Sequence, residues 1–377
     1  MVVELDGWRF SDLPEPVGLD LYRRAREEFC EYFARVEGVH AIYRYGSVTY
    51  PGLSDMDFMV VLNDDYRHRP GVEYSNPPLT TEAKYAVHHQ QFFIPRRLFP
   101  LHNLLIPIFE IEHVWGSACE EPRPGEEELH LASLFLACED VVTVFPQFLL
   151  SCLTSRQVRA RYAQAQLNLI TKIGALTQAL LKRELPGAAE FTKLLNDLRE
   201  HWFSRPVEEN CGLLHRGIEE ASQFISILAR ALADYVTENG LLPPSARRAL
   251  QWGFRFGALR VIFDQKSGGL FIPSSGILKR QRLHVPLPLM MPLVWFASGR
   301  GPLSAYIRDC FEQTPPYECL AKNPAAQKIV TGKNDHCQFL IRAGIKVHVF
   351  GYFSFHSDYS RGVRTLVRLA ARKAFRR

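Results

Sequence analysis

The sequence predicts an α+β protein, and three observations carry that prediction. Residues 39–45, 55–62, 88–94 and 104–115 form short strand-like runs closed by turn residues. From Glu126 to about residue 237 the texture becomes helical, with apolar residues at three- and four-residue spacing. The last third mixes apolar segments broken by proline with further strand-like runs. With 377 residues the chain has room for two or three domains and more than one core. The expected division is an α/β part over 1–120, a helical domain over 121–265 and a mixed region over 266–377.

Each element follows from local pattern. Over 18–36, Leu21, Phe29, Tyr32 and Phe33 fall near helical spacing while Arg and Glu fill the other face, and Gly38 is the expected stop. Residues 39–45 then read as a strand, Asp55–Leu62 as a second strand, and 63–81 as a loop. His88–Ile94, closed by Pro95, and Leu104–Trp115 read as two more strands, although Pro107 confines the latter's start to an edge or irregular segment. Helices are expected over 126–153, 156–184, 188–203 and 212–237, the second carrying a stripe from Leu167 through Ile173 to Leu181. Three prolines within 284–298 exclude a long helix there, and 337–355 reads as two strands meeting near Ala343-Gly344.

Composition narrows the function classes. At 47% hydrophobic and 23% charged residues the chain is neither disordered, collagen-like nor a disulfide scaffold. The eight cysteines are scattered, with no CxxC pair and no His at zinc-finger spacing, so neither a metal cluster nor a redox dithiol is expected. No basic region followed by an apolar core opens the sequence, and no uninterrupted apolar run reaches about 18 residues, so neither a signal peptide nor a spanning helix is expected. A cytoplasmic location with reduced thiols, possible also at a membrane periphery, is the expectation.

The segment that carries chemistry is Tyr45-Gly46-Ser47, seven further residues, then Asp55-Met56-Asp57-Phe58. Side chains two apart on a strand share a face, about 7 Å apart at the backbone. Two carboxylates so placed hold hard divalent cations through oxygen. Gly46 lets the backbone approach a phosphate closely, Ser47 adds a hydroxyl donor, and a helix starting there would add free N–H groups.

Gly-Ser followed by Asp-x-Asp on the next strand resembles the nucleotidyltransferase signature of the DNA polymerase β superfamily. The run YGSVTYPGLSDMDFMVV is similar to that of the small bacterial nucleotidyltransferases in particular, including Ser54 before the first Asp. The resemblance covers about residues 25–65 and extends toward 116. It implies a polymerase-β-like fold for the first part, phosphate contacts from Gly46 and Ser47, and Mg²⁺ or Mn²⁺ on Asp55 and Asp57. It also implies transfer of a nucleotidyl group from an NTP, such as ATP, to a hydroxyl or phosphate acceptor, with release of pyrophosphate. The acceptor stays open among a small molecule, a protein and an RNA end.

The family also implies a third acid from a neighbouring strand. Glu110, within Phe109-Glu110-Ile111, has the apolar–acid–apolar form and is the expected third catalytic and metal-binding carboxylate, with Glu112 as an alternative. His88–Ile94 offers no acid, and if it is the core strand the site has two carboxylates. The chain would then use another base or bind nucleotide without turnover, as a sensing protein.

The remaining signals are weaker. Arg361–Arg377 holds seven basic residues and no acid, so the formal +5 of the chain becomes −2 over residues 1–360. Arg364, Arg368, Arg372 and Arg376 line one face of an expected terminal helix, which could meet an anionic membrane surface or nucleic-acid phosphate. In Arg199-Glu200-His201 the Arg–His spacing is too short for the motif of helical ribonucleases, and the cluster reads as a solvated helix face. Lys322, Lys328 and Lys333 read as a solvated loop, and Gly268-Gly269 and Ser274-Ser275-Gly276 as turns.

Overall fold

A computed structural model of the protein describes residues 1–74, 76–87, 91–107, 110–242, 252–256, 259–264, 282–310 and 322–345. The fold class is α+β, and the described chain forms two compact units. A helical unit comprises Met1–Tyr22, Ser47–Asp55 and Ser133–Met291; a sheet unit comprises Arg23–Gly46, Met56–Ala132 and the described residues from Pro292 onward.

The helical unit opens with a hairpin of β1 (Val3–Leu5) and β2 (Trp8–Ser11). Asp6 and Gly7, at φ +50° and +77°, supply the paired left-handed residues that a two-residue hairpin turn demands. Strand β2 also pairs in parallel with β7 (Gln157–Arg159). After α2 (Thr81–Ala86), α3 (His102–Leu105) and α4 (Glu126–Val142) in chain order, the core of this unit is built by α5 (Val144–Ser155), α6 (Ala160–Leu181), α7 (Ala188–Glu200) and α8 (Val207–Glu238). The sequence places a helix over 156–184, and its first residues instead join the sheet as β7. Gly217 on α8 lets Leu167 and Leu195 close in, since an added Cβ there would sit 3.3 Å from both. A second sheet, β10 (Arg282–Pro286), β9 (Leu259–Asp264) and β8 (Trp252–Phe256), lies late in this unit, β9 being parallel to β10 and antiparallel to β8.

The sheet unit has four strands in the order β5–β4–β3–β6: Phe92–Pro95, Asp57–Leu62, Val39–Tyr45 and Ile111–Gly116. Strand β3 is antiparallel to β4 and β6, and β5 runs parallel to β4. In α1 (Leu19–Ala34), Ala25, Phe29 and Phe33 recur every four residues and are fully buried. Phe29 stacks on Phe58 of β4 with ring centroids 4.2 Å apart, and Phe33 meets Phe93 of β5. The other sheet face packs Tyr43 on Phe99, from the 3₁₀ turn Arg96–Leu101, and Phe92 on His336.

Several expectations change here. The strand expected over Leu104–Trp115 begins only at Ile111, because His102–Leu105 is a helical turn that Pro107 ends by forcing the preceding residue out of helical geometry. The strand expected from Asp55 begins at Asp57. Lys328 and Lys333 lie not in a loop but on the helix Pro324–Ala343, where Lys328 pairs with Glu128 at 2.8 Å and Lys333 is buried over the Phe296 ring. That helix also replaces the first of the two strands expected over 337–355. Asn323 caps its start by accepting from the Ala326 N–H, and Gly344 ends it at φ +68°. Residues 88–90, 346–355, the basic segment Arg361–Arg377, Gly268-Gly269 and Ser274–Gly276 lie outside the described residues.

One stretch, Glu126–Ser155, is long and apolar enough by length and composition to cross a bilayer, unlike the sequence expectation. Acidic residues interrupt it, so no uninterrupted apolar run is visible, and 89% of its most apolar window is buried within the protein, as in a core helix.

Candidate active site

Strand β3 ends at Tyr45, and the chain leaves it through Gly46 at φ +73°, a left-handed conformation that disfavours any side chain. The Gly46 N–H donates to the Glu110 carbonyl at 3.3 Å, which ties this turn to the start of β6. Tyr45 lies opposite both Asp57, the first residue of β4, and Ile111, the first of β6. Gly46, Asp57 and Glu110 therefore gather at one end of the sheet. Asp57 is half-buried, and its Oδ1 is sealed from solvent.

Cross-strand partners share a face, so Asp57 lies on the Tyr45 face, whereas Arg44, Phe58 and Glu112 occupy the opposite one. The Arg44 guanidinium confirms this by gripping Glu112 through Nε at 2.8 Å and Nη2 at 2.5 Å. Glu112 thus belongs to an ion pair on the far face from Asp57. Glu110 precedes β6 with its side chain exposed, and no group of three His, Cys, Asp or Glu side chains suited to a metal ion occurs among the described residues. Glu112→Gln is expected to leave any phosphoryl-transfer activity within about twofold and to cost at most about 1 kcal/mol of stability, as for an exposed pair; turnover assays and denaturant melts check both.

Ser47–Asp55, described with the helical unit, is a loop and tight turn rather than the start of a helix. Pro51 and Gly52 set that turn: the Leu53 and Ser54 N–H groups both donate to the Tyr50 carbonyl, at 3.0 and 2.8 Å. The helix N-terminus that would have added anion-binding N–H groups behind Ser47 is therefore not formed. Ser47 Oγ shares a 3.1 Å hydrogen bond with Thr49 Oγ1 and remains exposed. Gly52 has φ +89°, and a Cβ there would sit 2.3 Å from the Glu15 carbonyl and 2.7 Å from the Phe203 ring. Gly52→Ala is accordingly expected to destabilise the protein by more than about 1 kcal/mol, measured by denaturant unfolding.

Two residues around this turn, Tyr22 and Arg199, are not marked as partners of it by the sequence. The Tyr22 hydroxyl donates to the Ser54 carbonyl at 2.6 Å and accepts from the Gly52 N–H at 2.8 Å. Arg199 on α7 is not on a solvated face: it is 8% exposed, donates from Nη2 to Ser54 Oγ at 3.2 Å, and lies 5.1 Å from the centroid of the Tyr50 ring. Burial pulls the Arg199 pKa below its ordinary value, while Tyr50 and Asp55 push it back; a guanidinium stays charged throughout the physiological range. The helical spacing of Phe191, Leu195 and Leu198 carried the missed signal, since Arg199 stands four residues after Leu195 on the buried side.

No protein-family model matches the sequence, and neither the curated proteins nor the solved structures give a match to the chain.

Proposed function

We propose that the protein is a nucleotidyltransferase, moving a nucleotidyl group from an NTP to a hydroxyl or phosphate acceptor with release of pyrophosphate, on a polymerase-β-like sheet unit. The observation that supports it best is the register of β3 with β4. It sets Asp57 across from the residue that leads into Gly46, so the glycine turn and the carboxylate stand together at one sheet end.

The donor chemistry fits a divalent cation. Asp55 and Asp57 are separated by one residue in sequence; Asp55 precedes the strand that starts at Asp57, so the pair does not rest on a shared strand face, but Mg²⁺ is commonly held by one or two carboxylates, with substrate phosphates and water completing its shell. Asp55 and Asp57 would hold Mg²⁺ or Mn²⁺, which when bound supplies neutralisation of the charge on the transferring phosphoryl group. The Gly46 N–H is already taken by Glu110, so Gly46 contributes its missing Cβ, which leaves a phosphate oxygen room beside the backbone. The exposed Ser47 hydroxyl is available to donate to the β- or γ-phosphate. In this reading the cation is held by two carboxylates, and Glu110 acts through its carbonyl by fixing the Gly46 turn.

A pyrophosphate-release assay tests the reading, with each NTP, with and without Mg²⁺, and with small-molecule, protein and RNA acceptors supplied in turn. Release that requires Mg²⁺ is expected with at least one pairing. A second reading, nucleotide binding without turnover, is favoured by the missing three-residue metal group among the described residues. Mg²⁺-dependent NTP binding without release under any acceptor would select it.

A further inference from the structure

We propose that Arg199 is a positioning residue for the carboxylate of Asp55: it fastens the Tyr50–Ser54 turn, and so holds the first acid of the Asp-x-Asp pair where a divalent cation is taken up. The inference rests on the nucleotidyltransferase reading and goes beyond it, because it assigns a role to the helical unit's own α7.

Four observations converge. Arg199 is buried, yet its partner is a hydroxyl, Ser54 Oγ at 3.2 Å, rather than a closely paired carboxylate. Its Nε is buried without a hydrogen-bond partner among the described residues, an arrangement that native structures rarely keep without a reason. The guanidinium lies 5.1 Å from the Tyr50 ring centroid, and the Asp55 charge acts on it. Tyr22 braces the same turn through Gly52 N–H and the Ser54 carbonyl. Ser54 is thus held at its hydroxyl by Arg199 and at its carbonyl by Tyr22. That carbonyl belongs to the peptide plane leading into Asp55, so fixing both ends leaves the Asp55 backbone little freedom.

The test compares the full-length protein with Arg199→Ala, Arg199→Lys and Ser54→Ala. Pyrophosphate release is titrated with Mg²⁺ at saturating NTP, and with NTP at saturating Mg²⁺. Arg199→Ala is expected to raise half-saturating Mg²⁺ about tenfold or more, with KM for NTP within about twofold, since displacing a ligand by an ångström is costly. Arg199→Lys keeps a cation able to reach Ser54 and is expected to recover most of the Mg²⁺ affinity, with Ser54→Ala intermediate. A merely structural arginine would lower the melting temperature without shifting the Mg²⁺ requirement, and that result overturns the proposal. So does a rise in KM for NTP at unchanged Mg²⁺ dependence, which would make Arg199 a direct phosphate ligand. If Arg199→Ala does not fold, Arg199→Lys and Ser54→Ala decide by the same criterion. If the unaltered protein releases no pyrophosphate, the functional reading fails separately. Mn²⁺ binding by water-proton relaxation in the same variants then judges Arg199, and equal affinity in all of them overturns its role.

Discussion

Replacing Asp55 and Asp57 together by alanine is expected to reduce Mg²⁺-dependent pyrophosphate release by at least about 10³-fold, because both carboxylates that would hold the cation are lost. The fold is expected to survive. Neither residue is in the set of fully buried core side chains, and the β3–β4 register is set by backbone pairing from Val39 to Tyr45. Near-native circular dichroism alongside lost turnover is the expected pair of results. Asp57→Asn alone separates shape from charge, since it keeps the volume around the sealed Oδ1 position while removing the negative charge. Undiminished release in the double variant would remove the proposed function.

Phe58→Ala is expected to give the largest loss of stability, about 3–5 kcal/mol for a fully buried aromatic truncated in a core. Phe58 has no exposed surface and stacks on Phe29 with 9° between the ring planes, and its N–H donates to the buried Gln91 side chain. Removing the ring leaves a cavity between α1 and the sheet, directly behind Asp57 in the chain. Phe58→Leu, which keeps most of the volume, is expected to cost less than about 1.5 kcal/mol and to preserve turnover. Denaturant unfolding measures both variants, and a loss below about 1 kcal/mol for Phe58→Ala would contradict this account of the sheet core.

The parts of the fold that were legible in sequence are those where one periodicity dominates. Strand β3 runs over Val39–Tyr45 as its pattern implies, and α1 follows the spacing of Phe29 and Phe33. The strand misreadings came from segments where apolar content is high on every side. In the helix Pro324–Ala343 the apolar run Phe339-Leu340-Ile341 fits a strand equally well. The deciding signals were the punctuation, Asn323-Pro324 at the start and Gly344 at the end, which is a helix cap pair rather than a hairpin turn. The same holds for Leu104–Trp115, where Pro107 separates a helical turn from a strand instead of marking an irregular strand edge.

The candidate site was legible in its covalent part only. Gly46, Ser47, Asp55 and Asp57 announce themselves through residue type and spacing. The faces of Glu110 and Glu112 depend on where β6 starts, and the strand-like run Leu104–Trp115 does not mark that start at Ile111. Arg199 and Tyr22 reach the Tyr50–Ser54 turn from positions 145 and 32 residues away from Ser54, and no local pattern encodes such a meeting. What the sequence does record is that Arg199 continues the buried side of α7, and a buried arginine signals a partner worth locating.

The most direct test of the central claim, an Mg²⁺-dependent nucleotide site built on Asp55 and Asp57, is calorimetric titration of each NTP into the full-length protein and into the Asp55→Ala/Asp57→Ala variant, with Mg²⁺ and with chelator. At least one NTP is predicted to bind the unaltered protein with Mg²⁺ present, and to bind neither the chelated protein nor the double variant. Equal binding to protein and variant, or no binding of any NTP under either condition, would contradict it.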